Sequence, residues 1–396
     1  MPGPGSYLIG EEEIAEALEV LQSGHLYRYG SPDDPKFKHK VFSLEQKFAE
    51  YTGAEHAIAV NSGTAALWIA MESLGIGPGD EVIVPAYTYV ATYTAVLFTG
   101  ATPILAEVDE SLTLDLADVE ARITDKTKAI IPVHMLGNPV DVEGLMTLAE
   151  RKGLTVVEDC AQAAGASYRG QKVGTFGKIG CFSLNYFKTF TAGDGGLVVT
   201  SDEDLYIRAF GMHDQGHKPN RMGTEVGYRD MLGMNFRINE LTGAVALAQL
   251  RKLDGITETL RTHKKKLKAG LGTLDGVSYR RLNDADGECG TLCTLLFDDA
   301  AHARRVCDRL GTKPISESGW HVYANMEHVI RELSEKGHDI RKGAFPKTDD
   351  LLDRAVNISI GVVDGGLGSG FGVNIRSSDE EIAEVADKLK AAIQAG

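Results

Sequence analysis

Short apolar runs recur through the first half of the chain, and helical periodicity fills the segments between the earlier ones. Residues 64–75 and 142–153 are two such helical segments. Continuous runs of valine, isoleucine and leucine that alternate with helices are typical of a mostly parallel sheet buried on both faces, so we predict an α/β fold with a seven-stranded sheet. The predicted strands occupy residues 57–60, 81–85, 102–108, 128–133, 154–159, 180–184 and 196–200.

Two amphipathic helices are predicted ahead of the first strand. Residues 11–22 place Ile14, Leu18 and Leu21 on one stripe, behind a first turn of three glutamates. A second helix over residues 43–52 is expected to begin with a capping box between its serine and the glutamine three positions later.

A long helix over residues 239–270 follows the strands, and residues 278–396 form a smaller α+β pattern. We therefore divide the chain into a large sheet-containing domain, 1–250, and a small C-terminal domain, 251–396. The glycine-rich stretch 365–374 lacks the GxGxxG spacing of a phosphate loop and is interpreted as a flexible turn that leads into a short strand.

The charge balance excludes some classes of partner. The 396 residues include 41 Lys plus Arg and 56 Asp plus Glu, which gives a formal net charge of -15. Such a surface repels phosphate backbones and anionic lipid, so we expect neither nucleic acid nor membrane as a partner. No apolar stretch of membrane-spanning length occurs and the first residues lack the pattern of a secretion signal, so a cytoplasmic protein is expected.

The cysteines and the longest lysine run are given structural interpretations. The five cysteines form no CxxC pair, so we expect reduced thiols and no metal site. The three consecutive lysines at 264–266 are interpreted as a solvated helix face.

Three segments carry candidate chemistry, and each also has an ordinary interpretation. Gly63 and Thr64 begin a helix directly after a strand, where backbone amides suit a phosphate, although serine or threonine there is also a common N-cap. Glu158 and Asp159 end an apolar strand, where an acid can hydrogen-bond a cationic ring nitrogen or simply cap the next segment. Lys188 lies between a strand and a glycine-rich turn, where partial burial would give the lowered pKa needed to form a Schiff base, although most lysines are exposed and inert.

Taken together, the three segments are the parts required to hold pyridoxal 5'-phosphate. A phosphate-binding helix start, an acid at a strand end and a lysine follow one another along the chain. Tyr89 is a candidate to stack on one face of the cofactor ring, with Gln162 or Ala161 on the other.

At this point the sequence resembles the sugar aminotransferases of the DegT/DnrJ/EryC1/StrS type over nearly its whole length. The motifs that carry the resemblance are SGTAAL (62–67), VPAYTYVAT (84–92), VEDCAQAAGASYRGQKVGTFG (157–177), FSLNYFKTFTAGDGG (182–196) and NFRINELTGAVALAQL (235–250).

The resemblance implies a role for each matched residue. Lys188 corresponds to the lysine that binds the cofactor covalently, and Asp159 to the partner of its ring nitrogen. Gln162 corresponds to the residue near the phenolic oxygen of the cofactor, and Tyr89 to the stacking aromatic. The phosphate contacts that the resemblance implies are Gly63, Thr64 and Ser183.

The resemblance also implies the assembly and the fold. Asn235 corresponds to an asparagine that reaches the phosphate of the neighbouring subunit, so a homodimer with shared active sites is expected. The implied fold is the type I aminotransferase fold. The usual GEGG is GDGG here, at residues 193–196, which is a conservative change. Relatives that act as dehydratases carry histidine in place of the lysine, so Lys188 favours transamination.

The substrate is the least specific expectation. Several short segments are most similar to the branch that aminates C8 of an eight-carbon keto-sugar acid, with nucleotide-linked keto-sugars and cyclitols as alternatives, and glutamate or glutamine as the donor. Asn185 is a candidate for substrate hydroxyls, and Arg28 or Arg237 for a substrate carboxylate. A dehydratase or epimerase on the same scaffold, and a non-enzymatic sensor, are the rival functions.

Overall fold

The computed structural model describes residues 3–219, 229 and 231–395. Its helices are α1 (Pro4–Tyr7), α2 (Glu11–Ser23), α3 (Lys40–Thr52), α4 (Gly63–Ser73), α5 (Ala91–Phe98), α6 (Leu116–Arg122), α7 (Val142–Lys152), α8 (Glu203–His213), α9 (Glu240–Leu271), α10 (Ala300–Leu310), α11 (Glu327–Glu335), α12 (Pro346–Asp353) and α13 (Asp379–Gln394). Its strands are β1 (His56–Val60), β2 (Glu81–Pro85), β3 (Thr102–Ala106), β4 (Thr127–Ile130), β5 (Thr155–Asp159), β6 (Ser167–Tyr168), β7 (Gln171–Lys172), β8 (Ile179–Ser183), β9 (Gly196–Thr200), β10 (Val277–Tyr279), β11 (Leu292–Phe297) and β12 (Ala355–Ser359).

The seven strands predicted from the apolar runs form one sheet in the order β1-β9-β8-β5-β4-β2-β3. Strand β9 pairs antiparallel with both of its neighbours, β1 and β8, and the other pairings in the sheet are parallel. Within β2, Val82 and Val84 pack in one apolar cluster and Ile83 packs in another, because successive side chains of a strand point to opposite faces. The prediction of a mostly parallel seven-stranded sheet buried on both faces is confirmed.

A second, antiparallel sheet, β10-β11-β12, lies in the C-terminal part of the chain, where the smaller α+β region was predicted. Helix α9 joins the two parts: it packs on α2 and α3 and also on α13. The proposed division between 1–250 and 251–396 falls inside this unbroken helix and remains a prediction.

Helix α3 begins three residues earlier than predicted, and the expected capping box at Ser43 is wrong. The reason is a cap from outside the local sequence. The carboxylate of Glu240 accepts the N–H groups of Lys40 and Val41, at 2.8 and 3.0 Å. These bonds satisfy two of the donors that a helix N-terminus leaves open, so the helix extends beyond the serine.

The apolar stripe of α2 faces solvent in the single chain. Ile14, Leu18 and Leu21 are 62%, 47% and 56% exposed. The buried side of the helix carries Glu13 instead, whose carboxylate accepts hydrogen bonds from the Lys252 ammonium. The helix is amphipathic as predicted, but its charged side is the one that packs on α9.

The interpretation of residues 264–266 as a solvated face is wrong for the first of the three lysines. Lys264 is buried and its ammonium lies 2.7 Å from the Glu288 carboxylate. Lys265 and Lys266 are exposed, and Lys266 pairs with Asp379.

The cysteines agree with the sequence interpretation, because all five are buried and unpaired with one another. None of the helices in the described part of the chain is both long enough and apolar enough to cross a bilayer. The glycine-rich stretch forms a 3₁₀ turn, Gly365–Leu367, and the expected strand after it is reduced to one bridge between Ser359 and Gly372.

Candidate active site

A cavity of about 590 Å³ lies at the carboxyl ends of β5 and β8 and at the start of α4. The C-terminal part of the chain closes it with residues 320–321 and 362–367. The residues predicted to contact cofactor or substrate line this cavity, except Asn235 and the two arginines Arg28 and Arg237. The predicted residues brought together are Gly63, Thr64, Tyr89, Asp159, Gln162, Ser183, Asn185 and Lys188.

Asp159 ends β5 and is buried at the cavity wall. One carboxylate oxygen accepts the N–H of Ala161 at 3.0 Å, and the other accepts the hydroxyl of Thr92 at 2.9 Å. Burial raises the pKa of the Asp159 carboxyl, while these hydrogen bonds and the charge of Lys188 act in the opposite direction. The group is thus an acid short of positive partners, which suits a ligand that brings a cationic N–H donor.

Glu158, the adjacent acid, does not line the cavity; its carboxylate forms hydrogen bonds within the protein. Its carboxylate accepts backbone N–H groups from Gly174, Phe176 and Gly177, at 2.7–2.8 Å, and lies 3.1 Å from the ring Nε2 of His134. The sequence could not separate the two acids, and the hydrogen bonds do: Glu158 holds a loop in place and Asp159 faces the cavity.

His134, Glu158 and Cys160 bring one potential metal ligand each to within 4.8 Å of one another. The Glu158 oxygens are already hydrogen-bonded, and the other His134 ring nitrogen accepts the N–H of Val140 at 3.1 Å. These groups are therefore committed to the protein's own structure, and we assign no metal to them.

Lys188 follows β8 in a turn closed by its own N–H, which donates to the Asn185 carbonyl at 2.9 Å. The side chain is half-buried, and in the described part of the chain its ammonium has no hydrogen bond or ion pair. Burial lowers the pKa of the Lys188 ammonium, and the carboxylates of Asp159 and Asp364 oppose that shift. The result is an amine that loses its proton more readily than an exposed lysine does.

At the start of α4, the SGTAAL motif provides both an N-cap and free backbone amides that could bind a phosphate. The N-cap is Ser62, whose hydroxyl accepts the N–H of Ala65 at 3.0 Å. The cap leaves the first amides of the helix, at Gly63 and Thr64, to face an anion. A Cβ on Gly63 would lie 2.8 Å from the Cβ of Ser183, so only glycine allows the helix start and β8 to approach this closely.

The Tyr89 loop is held by the C-terminal part of the chain. The N–H groups of Thr88 and Val90 donate to the carbonyls of His321 and Trp320, at 3.0 and 2.9 Å. The Tyr89 ring lies 5.9 Å from the Lys188 ammonium and its centroid lies 5.3 Å from that of His321.

His321 and Asp364 are cavity residues that the sequence did not identify as functional. His321 is buried, its Nδ1 lies 3.0 Å from the Ser318 hydroxyl, and burial together with the charge of Lys188 lowers its pKa to about 3. Its imidazole is therefore neutral at physiological pH. Both residues belong to segments, 320–328 and 357–372, that the sequence related to a substrate branch without assigning either residue a role, and the fold brings them to Lys188.

Gln162 is held through its carbonyl oxygen, which accepts the N–H of Leu136 at 3.0 Å. Asn185 donates its amide to the Asp194 carboxylate at 3.0 Å. Asp194, the residue that makes the motif GDGG, also lines a second cavity of about 540 Å³ beside the first.

Asn235 lies in that second cavity and not beside Lys188. Arg28 and Arg237, expected from the sequence to meet a substrate carboxylate, also line the second cavity. Arg28 is fully buried, and one nitrogen of its guanidinium, Nη2, donates to both carboxylate oxygens of Glu45, at 2.9 and 3.0 Å. Arg237 is paired with Asp214. The protein's own carboxylates engage both guanidinium groups, away from Lys188, and the expectation that either arginine contacts a substrate carboxylate remains a prediction.

The model of the DegT/DnrJ/EryC1/StrS aminotransferase family matches residues 8–363. The GDP-perosamine synthase of Escherichia coli O157:H7 is 44% identical over 215 residues, which are 54% of this chain and 58% of that protein. A UDP-N-acetyl-3-dehydro-alpha-D-glucosamine 3-aminotransferase of Acidithiobacillus ferrooxidans is 46% identical over 213 residues, 53% of this chain and 56% of the relative. These matches span little more than half of each relative.

One curated relative matches over a longer range, and solved structures match over nearly the whole chain. The GDP-perosamine synthase of Vibrio cholerae is 39% identical over 318 residues, 80% of this chain and 84% of that protein. The aminotransferase from Psychrobacter cryohalolentis superposes with a TM-score of 0.83 at 27% identity, covering 100% of this chain and 99% of its own. DesV of S. venezuelae superposes with a TM-score of 0.80 at 30% identity, covering 97% and 94%.

Proposed function

The chain belongs to the DegT/DnrJ/EryC1/StrS aminotransferase family, and we propose that it transfers an amino group from glutamate or glutamine to a keto-sugar, with pyridoxal 5'-phosphate as its cofactor. The observation that carries the proposal is that one cavity brings together a buried acid, an open helix start and a lysine that has no ion pair among the described residues.

The side chains of the cavity fit the cofactor group by group. The aldehyde of the cofactor needs an amine that is not engaged in an ion pair. The Lys188 amine forms no ion pair within the described residues. A pyridinium N–H needs a buried acceptor, which Asp159 offers. A phosphate needs amide donors and close backbone approach, which α4 offers at Gly63, beside Ser183. When bound, the cofactor supplies an electron sink for the carbon that loses its proton.

Each residue then has a defined task. Lys188 would hold the cofactor covalently, and its Nζ, when free, would take the proton from the donor's α-carbon, because it is a tethered base with a lowered pKa. Asp159 keeps the ring nitrogen protonated. Tyr89, held from the C-terminal part of the chain, covers the ring and excludes water from one side.

The charge of the cavity supports a sugar whose reacting ring carries no anionic group, so the diphosphate of a nucleotide-linked sugar would have to lie outside this lining. In the described lining, Lys188 is the one cation, while Asp159, Asp194 and Asp364 contribute carboxylates. A sugar acid would therefore need a cation from elsewhere to enter. The named relatives handle GDP- and UDP-linked sugars. We propose a nucleotide-linked keto-sugar as the substrate, with the eight-carbon keto-sugar acid and the cyclitol as alternatives.

We also propose a homodimer with shared active sites. Asn235 stands outside the cavity that holds Lys188, as expected of a residue that serves a neighbouring subunit. Exposed apolar side chains on α2 and in the residues before and after it support a covered surface, because a monomer rarely leaves so many in contact with water. They are Ile9, Ile14, Leu18, Leu21, Leu26 and Tyr27.

Shared sites are tested by mixing two defective variants, Lys188→Ala and Asn235→Ala, after unfolding and joint refolding. A hybrid dimer with shared sites has one wild-type site, so the mixture should regain part of the activity that neither variant has alone. A mixture that is no more active than the separate variants would exclude sharing.

The function itself is tested with ¹⁵N-labelled glutamate and glutamine against a panel of keto-substrates. The panel contains nucleotide-linked 3-keto- and 4-keto-sugars, an eight-carbon keto-sugar acid and an inosose, with Lys188→Ala as the inactive control. We expect label in an amino sugar and release of the donor's 2-oxo acid. A substrate consumed without label in the product would indicate a dehydratase or epimerase, and a wild-type protein that binds no pyridoxal phosphate would contradict the proposal.

A further inference from the structure

Arg280 is a buried cation that no step of the proposed reaction uses. It follows β10 in the C-terminal part of the chain and is 3% exposed. Its guanidinium points away from its own sheet and donates to two backbone carbonyls of the 3₁₀ turn after β4, those of Met135 at 3.1 Å and Leu136 at 3.0 Å.

The turn that Arg280 holds is in an unfavourable backbone conformation. Leu136 has φ 55 and ψ 33, the left-handed region. A side chain other than glycine, asparagine or aspartate pays about 1 kcal/mol or more there, so surrounding bonds must enforce it. The Leu136 carbonyl also accepts the Thr291 hydroxyl at 3.3 Å. Arg280 and Thr291, both from the C-terminal part of the chain, therefore hold the two successive peptide groups that flank the Cα of Leu136, Met135–Leu136 and Leu136–Gly137.

The Met135–Leu136 peptide, whose carbonyl Arg280 holds, in turn orients Gln162. The N–H of Leu136 donates to the Oε1 of Gln162 at 3.0 Å, and both residues line the active-site cavity. Because an N–H donates to an oxygen, this bond directs the Oε1 of Gln162 toward Leu136 and its Nε2 away from Leu136. The amide nitrogen is left as a donor for an oxygen atom of a bound ligand.

We propose that Arg280 is a positioning residue for the cofactor: it fixes the Leu136 peptide, which presents the Gln162 amide nitrogen to an oxygen of the cofactor ring. The proposal rests on the proposed function, since it takes pyridoxal phosphate as the ligand of the cavity. It adds a residue that touches neither cofactor nor substrate, and it makes the C-terminal part of the chain a determinant of cofactor affinity.

The alternative is that Arg280 only satisfies two carbonyls and stabilises the fold. The two roles differ in their dependence on Gln162. If Arg280 acts through Gln162, removing Gln162 first should abolish the effect of changing Arg280 on cofactor binding. A purely structural arginine would have the same effect in either background.

The experiment measures the dissociation constant of pyridoxal phosphate by titrating cofactor-free protein, together with the melting temperature of the same protein. The variants are Arg280→Lys, Gln162→Ala and the double variant. Arg281→Ala is the matched control, because its neighbouring guanidinium is half-exposed and pairs with Asp109 at the surface. Thr291→Val, which removes the second bond to the Leu136 carbonyl, is a milder probe if Arg280→Lys folds poorly.

We expect Arg280→Lys to weaken cofactor binding about 5- to 30-fold, as the loss of one or two oriented hydrogen bonds would. In the Gln162→Ala background the same change should alter the dissociation constant by no more than about twofold, and Arg281→Ala should leave it unchanged. Thr291→Val should show the same dependence on Gln162 with a smaller effect.

Two results would overturn the inference. One is an effect of Arg280→Lys that multiplies with that of Gln162→Ala. The other is a lower melting temperature with unchanged cofactor affinity. Both require that wild-type protein binds pyridoxal phosphate, so they are distinct from a failure of the proposed function, in which the wild type binds none.

Discussion

Lys188 and Lys264 are both withdrawn from solvent, and burial lowers the ammonium pKa of each. They differ in their partners. The Lys264 ammonium donates a hydrogen bond to the Glu288 carboxylate at 2.7 Å, so the two form a buried, hydrogen-bonded ion pair. The Lys188 ammonium has no such partner within the described residues, and it faces a cavity rather than a packed interior.

The comparison separates two uses of one side chain. A buried lysine with a carboxylate at hydrogen-bond distance contributes to structure, and its charge is held in place. A half-buried lysine such as Lys188, whose nearest acids stay beyond hydrogen-bond distance, keeps a nucleophilic amine available. A lowered pKa alone does not distinguish the two, because both lysines have one. Two other features distinguish Lys188 from Lys264: its amine has no carboxylate partner within the described residues, and it faces an open cavity.

The largest expected difference is in turnover. Lys188→Ala should lower transamination at least about 10³-fold, because it removes both the covalent attachment and the tethered base. The free energy of unfolding should stay equal or rise, since the change removes an unpaired cation next to an existing cavity. Steady-state kinetics and denaturant unfolding check the two parts. Retained turnover would end the assignment of Lys188.

The opposite pattern is expected at the other lysine. Lys264→Ala should lower the free energy of unfolding by about 3–5 kcal/mol, because Glu288 is left buried without a counter-ion. Turnover per folded molecule should not change. Urea unfolding is the measurement, and Lys265→Ala, on the exposed side of the same helix, is the matched control. A loss comparable to that of the control would mean that the pair contributes little.

Chemical modification compares the two amines directly. In cofactor-free protein near pH 8, a small reagent such as acetic anhydride should modify Lys188 several-fold faster than the exposed lysines, since its lowered pKa leaves more neutral amine. Lys264 should stay unmodified until the protein unfolds. Peptide mass spectrometry over time measures both rates. Early modification of Lys264 would erase the distinction.

The smallest expected effect is on the pH dependence of stability and concerns His321, a buried imidazole that, within the described residues, pairs with no acid. Burial lowers the pKa of His321 to about 3, below the ordinary value of 6.5, so its contribution to stability is complete above pH 6.5 and is lost as the pH falls toward 3. Between pH 6.5 and 5.5 the loss should be roughly 1 kcal/mol.

His321→Gln should remove that share of the pH dependence, and His328→Gln, at an exposed position, should leave it. Thermal unfolding across this pH range provides the readout. An unchanged slope in His321→Gln would show that the imidazole is not held neutral by the fold.

The sequence predicts those features that depend only on residues close together in the chain. The bounds of β2 and β9 follow from short apolar runs between turn residues, and Lys188 and Asp159 were found because each stands at the end of such a run. The fold class followed from the same pattern.

The parts that were missed depend on partners far along the chain. The start of α3 is set by Glu240, about 200 residues away, and Lys264 is buried because Glu288 meets it. His321 belongs to the same group, since nothing near it in the sequence marks it as a cavity residue. Local patterns carry no information about such pairs, which only the assembled sheets bring together.

Helix α9 has a mechanical consequence. Thirty-two residues make a rod about 48 Å long, and in this structure it runs without interruption from the sheet-containing part into the C-terminal part. A hinge between the two parts would have to break this rod or slide along it. Ligand entry and release are therefore expected to depend on the segments that border the cavity, around residues 320–323 and 364–367, while the two halves keep a fixed relative orientation.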